Sequence, residues 1–577
     1  MVEVVVGIDF GSSGSGFAYS FMNENDINHG EIFGANVDNK VPTEIILDDN
    51  DDILQFGATC QRYLKEKGLN HGHYFKNIKM NLYSRKKNIK SDNSDKILSL
   101  TFVIQKVLES LKKLCLNHLR KLRNDINENN IKWVVTVPAI WEEYQKNIMM
   151  EACYNSGLIN KNTDRSLFFA LEPEAASLYC SRNQEINQRY LEKGKSYIIC
   201  DLGGGTGDIV THIIGSNKNI EEIKPASGGD YGSNEIDKQI FRDIIFKIFG
   251  YKDFNSLREK KKEMKINEEE DVIFGEWCEI ERLIKDYKEG ANLEKINKNT
   301  SFPIKFSFFQ DFFDENQDIN DLIKKYNNTI NDNDLKISIK SNKKWMLEFP
   351  YKIVYNYIKK QAKSIVKVIK EIISSSKQNI DSIIFVGGYC SNEILIHEIK
   401  NKLNSLIKNF LRPSKPCLAI MEGAVLFGIN PNIITSRIAK YTIGTDVRLT
   451  WNEEKHAKNG RKVYDKVNDK WDCADCFSKF IEIKEKLELN QEITKSYIMT
   501  MPRYCRMSFY QTLKRNPDYI NELGVDKIGE CILDAGKDYP PGQRIIKVTM
   551  KFGGTCIDVK AKHEKSGAEI KTILLFK

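Results

Sequence analysis

Two short stretches of this chain could do chemistry together. The first reads Ile8-Asp9-Phe10-Gly11-Ser12-Ser13-Gly14-Ser15-Gly16-Phe17, the second Cys200-Asp201-Leu202-Gly203-Gly204-Gly205-Thr206-Gly207-Asp208-Ile209. Laid over one another they follow one plan: apolar strand, Asp, apolar residue, Gly, a turn of small residues, and a returning apolar strand. Glycine lets backbone N–H groups approach an anion without a Cβ in the way and takes φ > 0 where the hairpin reverses. The hydroxyls of Ser12, Ser13 and Thr206 can add hydrogen bonds. Asp9 and Asp201 end their strands, where each carboxylate would face the hydration shell of a magnesium ion, which keeps its waters tightly. Amides, hydroxyls and a cation are what a triphosphate demands. A single glycine-rich hairpin is as readily a plain tight turn. Two matched copies, with a third strand running into Gly387-Gly388, point to a cleft of pseudo-two-fold character. Other phosphate motifs are missing: no P-loop ending in Gly-Lys-Ser/Thr occurs, and after Gly11 to Gly16 the chain returns as a strand, Phe17-Ala18-Tyr19-Ser20-Phe21, instead of opening a Rossmann helix.

The elements that must position these turns are legible in outline. Short Val/Ile runs at Val4–Asp9, Tyr197–Asp201 and Ile383–Gly388 fit buried strands of an α/β sheet. Between them lie helical patterns. Residues 97–122 place Ile97, Leu100, Ile104, Val107, Leu108, Leu111, Leu114 and Leu122 near a 3.6-residue period. Residues 142–156 form another helix, stopped by Gly157, and residues 353–373 a third. Alternating strand and helix predicts doubly wound α/β lobes, one over residues 1–195 and one over 196–435. A charged, Asn/Lys-rich and mostly helical insertion falls at about 250–350. Residues 440–577 alternate differently, as in Phe480-Ile481-Glu482-Ile483-Lys484 and Ile545-Ile546-Lys547-Val548-Thr549-Met550, with turns at Pro540-Pro541-Gly542 and Gly553-Gly554. They read as a separate β-rich domain.

Composition narrows the class. The chain has 577 residues, enough for several packed cores, and a formal charge of +8 spread along its length. No compact basic block is interleaved with stacking aromatics, so nucleic acid is not an expected partner. The basic run Arg258 to Lys265 is followed at once by the acidic Glu268 to Asp271 and reads as a solvated helix face. No apolar run approaches the roughly 18–20 residues of a membrane helix. Met1 to Gly7 leads straight into a strand with no signal-peptide pattern, and Ile573 to Lys577 is neither a retention signal nor a prenylation box. The thirteen cysteines are scattered and odd in number, as free thiols in a reducing compartment would be; a cytoplasmic location is the expectation. Cys473 and Cys476 have metal-ligand spacing, but a structural zinc site needs four ligands and no second close pair exists. His456, Cys505 or Cys531 can join only through folding, and the pair reads as a surface loop.

The ordered set of motifs resembles the heat shock protein 70 family of the actin-like ATPase superfamily, and most of all its divergent heat shock 70 kDa protein 12A-like branch. Beyond the two hairpins, Trp133-Val134-Val135-Thr136-Val137-Pro138-Ala139-Ile140-Trp141 is similar to the family's first connecting segment, and Leu171-Glu172-Pro173-Glu174-Ala175-Ala176 to the segment bearing a magnesium-shell glutamate. Ile383 to Gly388 resembles the adenosine motif, and Glu422 to Gly428 the helix after it. The resemblance runs in order over about residues 2–430. It implies a two-lobed actin-like ATPase built from duplicated ribonuclease H-like lobes, followed by a mainly-β domain. It implies ATP/ADP and Mg2+ as cofactors. Asp9, Asp201 and Glu172 would hold magnesium through water. Gly11, Ser12 and Ser13 would contact the phosphates from one lobe, and Gly203, Gly204, Gly205 and Thr206 from the other. Asp208 would position the attacking water. A lysine in Phe75-Lys76-Asn77-Ile78-Lys79 would hold that water; register favours Lys79, with Lys76 open. Gly387 and Gly388 would border the adenosine, and Gly232 and Ser233 take the place of a glycine pair near the nucleotide. Glu281 and Lys285 could reach purine and ribose, although their i,i+4 spacing on a charged helix reads first as a surface ion pair.

The chain also departs from the family. Gly14 stands where an aromatic residue is usual, Ser12 and Ser13 where threonines are, and Tyr389-Cys390-Ser391-Asn392 lacks an arginine. The acidic, leucine-rich linker is replaced by Ile438 to Val447. No long helical lid and no acidic tail follow the β segments, so a client would leave quickly. The leading expectation is a weak Mg-dependent ATPase of chaperone type whose β domain binds polypeptide clients or signalling proteins. The alternative is a nucleotide-dependent adaptor with little hydrolysis; a small-molecule kinase on the same lobes is disfavoured by the added β domain.

Overall fold

The computed structural model describes residues 2–24, 26–30, 39–68, 71–158, 167–183, 186, 190–253, 256, 270–306, 318–341, 343, 345–465 and 469–573. The basic run at 258–265 lies outside the described residues.

Two sheets repeat one topology. In the first, the strand order is Leu167–Leu171, Ile131–Val137, Val4–Asp9, Gly14–Phe21, Asn28–His29. In the second it is Asn409–Leu411, Ser382–Val386, Ser196–Leu202, Gly207–Ile214, Ile220–Gly229. In both, three antiparallel strands in chain order are extended by two parallel strands beside the first. Parallel strands need crossovers, which helices such as Leu100–Leu122 and Tyr351–Ser375 supply. The central strands are buried along their whole length, which is why they read as Val/Ile runs without alternation.

Each lobe ends its sheet with a helix at the lobe junction, Glu172–Arg182 in the first and Ala419–Ile429 in the second. The two pack on one another. A Cβ at Gly423 would lie 1.8 Å from the carbonyl oxygen of Ala175, and one at Gly7 would lie 2.7 Å from that of Met421. Missing side chains here let the second lobe's helix rest on both the first lobe's helix and its central strand.

Local structure corrects two expectations and adds to a third. The helix predicted from residue 97 starts at Leu100, because Ile97–Ser99 pairs with Asn88–Lys90 as a small hairpin. Among the described residues of the segment at 250–350, helix outweighs strand, but helix is not all that it holds. It carries the helices Glu270–Glu289, Leu293–Asn297 and Ile319–Asn327, but also a three-stranded antiparallel sheet of Ser301–Lys305, Met346–Pro350 and Ser338–Ile339. Its many Asn and Lys residues hid the short alternation that buries Ile304, Leu347 and Phe349. Cys473 and Cys476 are not in a surface loop. They lie on the strand Lys470–Ile481, and both are buried.

The C-terminal part is a β-sandwich. Five antiparallel strands, Arg461–Asp465, Lys470–Ile481, Thr442–Thr450, Tyr504–Thr512 and Val525–Asp534, face four, Gln491–Ile498, Ile545–Phe552, Asp558–His563 and Glu569–Ile573. Phe509, Ile528, Val548 and Met550 share the core between them. The sandwich is fused to the second lobe: strand Ile434–Ile438 extends that lobe's sheet, and Lys486–Glu488 from the sandwich pairs with it. No described helix is long and apolar enough to cross a membrane.

Candidate nucleotide site

The two hairpins face one another across the lobe junction. Their registers match: Asp9 pairs with Gly16 and Asp201 with Asp208. Ser12 and Ser13 point at the opposite turn. A Cβ on Gly205 would lie 2.5 Å from Ser12 Oγ, and one on Gly204 would lie 1.8 Å from Ser13 Oγ. Only glycine at 204 and 205 lets the turns approach this closely. The second turn is closed by the Gly203 amide donating to Thr206 O (3.0 Å), and is laced to the following segment by the Ser233 and Asn234 amides, which donate to Gly203 O (3.1 Å) and Gly204 O (2.8 Å). Gly232 has the backbone of Gly204 and Gly205 where a Cβ would go. The Asn234 side-chain amide donates to Ser13 Oγ at 3.0 Å, a bond between the lobes. Thr43 supports the first turn, donating to Gly11 O at 2.7 Å.

Beneath the turns four buried carboxylates converge: Asp9, Glu172, Asp201 and Asp208. Two ammonium groups answer them. Lys40 Nζ lies 2.6 Å from Asp9, and Lys79 Nζ 2.6 Å from Glu172. With all six ionised, two negative charges remain over. The electrostatics follow. Burial, and then the neighbours Glu172, Asp208 and Asp9, hold the Asp201 carboxyl well above the usual carboxylate range. Burial, then Glu172, pushes Asp208 up to about 7, although its Oδ1 accepts the Ile140 amide at 2.9 Å. Glu172 is raised by burial, against the pull of Lys79. A buried cluster with surplus negative charge favours a cation or holds its protons. Among the described residues, the one trio of His, Cys, Asp or Glu with ligand atoms within 4.8 Å is elsewhere in the molecule.

The flanking residues divide. Gly387, at φ 86°, lies against Asp201: a Cβ there would be 2.6 Å from Asp201 Oδ1. Gly388 opens onto space. Lys76 and Lys79 point to different places. Lys79 joins the carboxylates, whereas Lys76 reaches across the cleft to Glu281 at 2.6 Å. Glu281 therefore does not form the i,i+4 pair with Lys285. It is held by Lys76 and by Trp277 Nε1 (3.1 Å), and Lys285 turns outward toward Glu289. A lobe-to-lobe partner had no signature within the helix itself. Sequence reasoning also missed Lys40, Thr43 and Asn234, which lie outside the glycine turns and carry no motif. It noted the lack of an arginine after Gly388; Arg412 reaches that turn from the next strand and donates to Cys390 O at 3.1 Å.

The cleft is joined to the sandwich. Lys440, just after the last strand of the second lobe, donates to Ile140 O at 2.9 Å, while the Ile140 amide donates to Asp208. Tyr441 donates to Glu142 (3.0 Å), and Thr555 from the sandwich donates to Phe169 O (2.7 Å).

Duplicated lobes, facing glycine turns and a carboxylate cluster between them define an actin-like nucleotide-binding fold with an appended β-sandwich. Known proteins agree with this. The chain is 25% identical to heat shock 70 kDa protein 12B of Homo sapiens, over 100% of this chain and 91% of that protein. It is 27% identical to heat shock 70 kDa protein 12A of Mus musculus, over 98% of this chain and 90% of that protein. A shorter stretch, 23% of this chain and 19% of the relative, is 33% identical to a chaperone protein HscA homolog of Acinetobacter baumannii. No protein-family profile matches the chain. Over nearly its whole length the chain is thus similar to the divergent 12A and 12B branch of the heat shock 70 kDa proteins.

Proposed function

We propose that this protein binds ATP and ADP with magnesium between its lobes, hydrolyses ATP slowly, and passes the nucleotide state to its β-sandwich. One observation carries the reading: a surplus of buried carboxylate lies directly under two facing turns of small residues. Magnesium would be held through water by Asp9, Glu172 and Asp201 and would supply charge neutralisation to the phosphates. Backbone amides at Gly11 to Ser13 and Gly204 to Thr206 meet the phosphate oxygens, while the Gly203 amide closes its own turn. Lys79 and Asp208 hold and orient the attacking water, with Asp208 accepting its proton once ionised. Gly387 and Gly388 border the adenosine, and Arg412 is placed to offer its guanidinium to the base. Lys76 and Glu281 hold the cleft shut, which excludes bulk water and strengthens every charge interaction inside.

The chain Asp208–Ile140–Lys440 gives the nucleotide a route to the sandwich. Movement of Asp208 toward bound nucleotide pulls on the segment that Lys440 grips. The sandwich then serves as a docking surface for polypeptide clients or signalling proteins. Thirteen free cysteines agree with work in a reducing compartment such as the cytosol.

Calorimetry of the whole chain with ATP and ADP, with and without magnesium, tests binding. Single-turnover hydrolysis then decides between the ATPase and an adaptor that keeps ATP intact. The adaptor reading is supported by the direct packing of Ser12 and Ser13 on Gly204 and Gly205, which favours a closed cleft over turnover. Absence of nucleotide binding in calorimetry would remove both.

A further inference from the structure

A second site lies in the sandwich, in residues the nucleotide chemistry does not use. Strand Lys470–Ile481 carries Cys473 and Cys476. Side chains three apart on a regular strand face opposite sides. Here the ladder to Thr442–Thr450 slips: Val447 pairs with Cys476 but Leu449 with Cys473. Three steps on one strand oppose two on the other, which is a β-bulge. Asp475 takes φ 62° within it, and its carboxylate is held by Arg461 at 2.6 Å. The bulge brings both sulfurs to one side. His456, the last residue of the short helix Glu453–His456, comes to meet them. One ring nitrogen and the two sulfurs lie within 4.8 Å of one another, and all three residues are buried.

The surroundings are built around this group. A Cβ on Gly460 would lie 2.8 Å from Cys473 Sγ and 2.8 Å from the His456 Cβ, so the turn between them closes only with glycine. Val447, Trp451 and Tyr519 wall the sulfurs. His456 Nδ1 accepts the Asn452 amide at 3.0 Å, which fixes the ring beside the sulfurs. A cation on Nδ1 takes the place of that hydrogen bond; one on Nε2 moves the ring proton to Nδ1 and turns the amide away.

We propose that Cys473, Cys476 and His456 bind a zinc ion. Two thiolates and an imidazole suit zinc, whereas magnesium and calcium take oxygen ligands. Both thiols lose their protons on binding. The fourth tetrahedral position falls to water or to the hydroxyl of Tyr519, whose backbone already bridges that of Cys476. The ion ties the helix ending at His456 to the bulge, and with Tyr519 as fourth ligand it would also reach the segment bearing that residue.

The test uses the full-length chain, purified without chelator. Elemental analysis is expected to give about one zinc per chain. Metal-stripped protein reloaded with Co2+ is expected to show sulfur-to-cobalt charge transfer and the intense ligand-field bands of a tetrahedral site. Cys473→Ser and Cys476→Ser each abolish metal and spectrum, while Cys505→Ser, whose thiol lies outside the trio, keeps both. If the serine variants do not fold, the cobalt spectrum of the unaltered chain and a zinc-dependent rise in its melting temperature still decide. Free thiols with neither metal nor cobalt spectrum would overturn the proposal. So would a chain lighter by two hydrogens, with Cys473 joined to Cys476 as a disulfide.

Discussion

Lys79 Nζ sits 2.6 Å from Glu172 Oε1, and both side chains are more than nine-tenths buried. Sequence separates them by 93 positions, and the lobe's own folding brings them together under the glycine-rich turns. Removing the lysine leaves Glu172 uncompensated beside Asp9, Asp201 and Asp208. Lys79→Met is therefore expected to lower single-turnover hydrolysis by about 10²-fold or more, the usual cost of losing one well-placed donor. Lys76→Met, which breaks only the bridge to Glu281, is expected to weaken nucleotide retention more than it slows the hydrolytic step. Rapid-quench hydrolysis beside nucleotide off-rates separates the two.

A second buried pair lies where lobes and sandwich meet. Arg437 grips Glu174 through Nε (2.6 Å) and Nη2 (2.7 Å), and its Nη1 donates to Gly553 O in the sandwich. Breaking such a pair from one side costs about 3–5 kcal/mol, whereas replacing both partners by apolar groups of similar size is often near neutral. Arg437→Met is expected to lower the urea midpoint sharply, and Arg437→Met with Glu174→Met to restore much of it. If the pair also carries the nucleotide signal, the double variant stays folded yet loses any nucleotide-dependent change in proteolysis of the sandwich.

Protonation gives a pH signature. The folded-state value of Asp208 is about 7 against an ordinary 3.8, so between those values the folded chain holds a proton that the unfolded chain has lost. Its contribution to stability without nucleotide therefore falls as pH rises through that window and levels off above about 7. Asp201, likewise held well above the usual carboxylate range by burial and its carboxylate neighbours, adds in the same direction. Stabilisation by magnesium nucleotide, which needs the ionised carboxylates, grows over the same window. Melting curves from about pH 5 to 8 check this, and Asp208→Asn should flatten the slope.

Gly423 tests the lobe junction. Alanine is the better helix former by about 1 kcal/mol. At this position its Cβ would lie 1.8 Å from the Ala175 carbonyl oxygen, a backbone atom that cannot step aside alone. Overpacking costs about 1–3 kcal/mol or more. Gly423→Ala is expected to destabilise despite its propensity gain, and Gly423→Val to do so further; denaturant titration reads the sign.

Much of the fold was legible because it is written in local signals. The duplicated hairpins at Asp9 and Asp201 announce themselves through glycine, small hydroxyls and strand-ending acids, since those residue types are the chemistry. The central strands of both lobes are buried on two faces and read as unbroken Val/Ile runs. The sheet at 301–350 was not legible, because three short strands in an Asn/Lys-rich stretch leave too few alternating positions to outweigh composition.

Sequence alone therefore determined the two-lobed plan, the paired glycine-rich turns and the presence of a β-rich C-terminal part. Tertiary structure decided the rest: which lysine meets Glu172, that Lys76 crosses to Glu281, that Lys40 answers Asp9, and that a bulge swings Cys473 and Cys476 toward His456. The reason is physical. A turn or strand is specified by residues a few positions apart, whereas an ion pair or ligand set depends on where whole elements come to rest, and packing of the full chain alone fixes that.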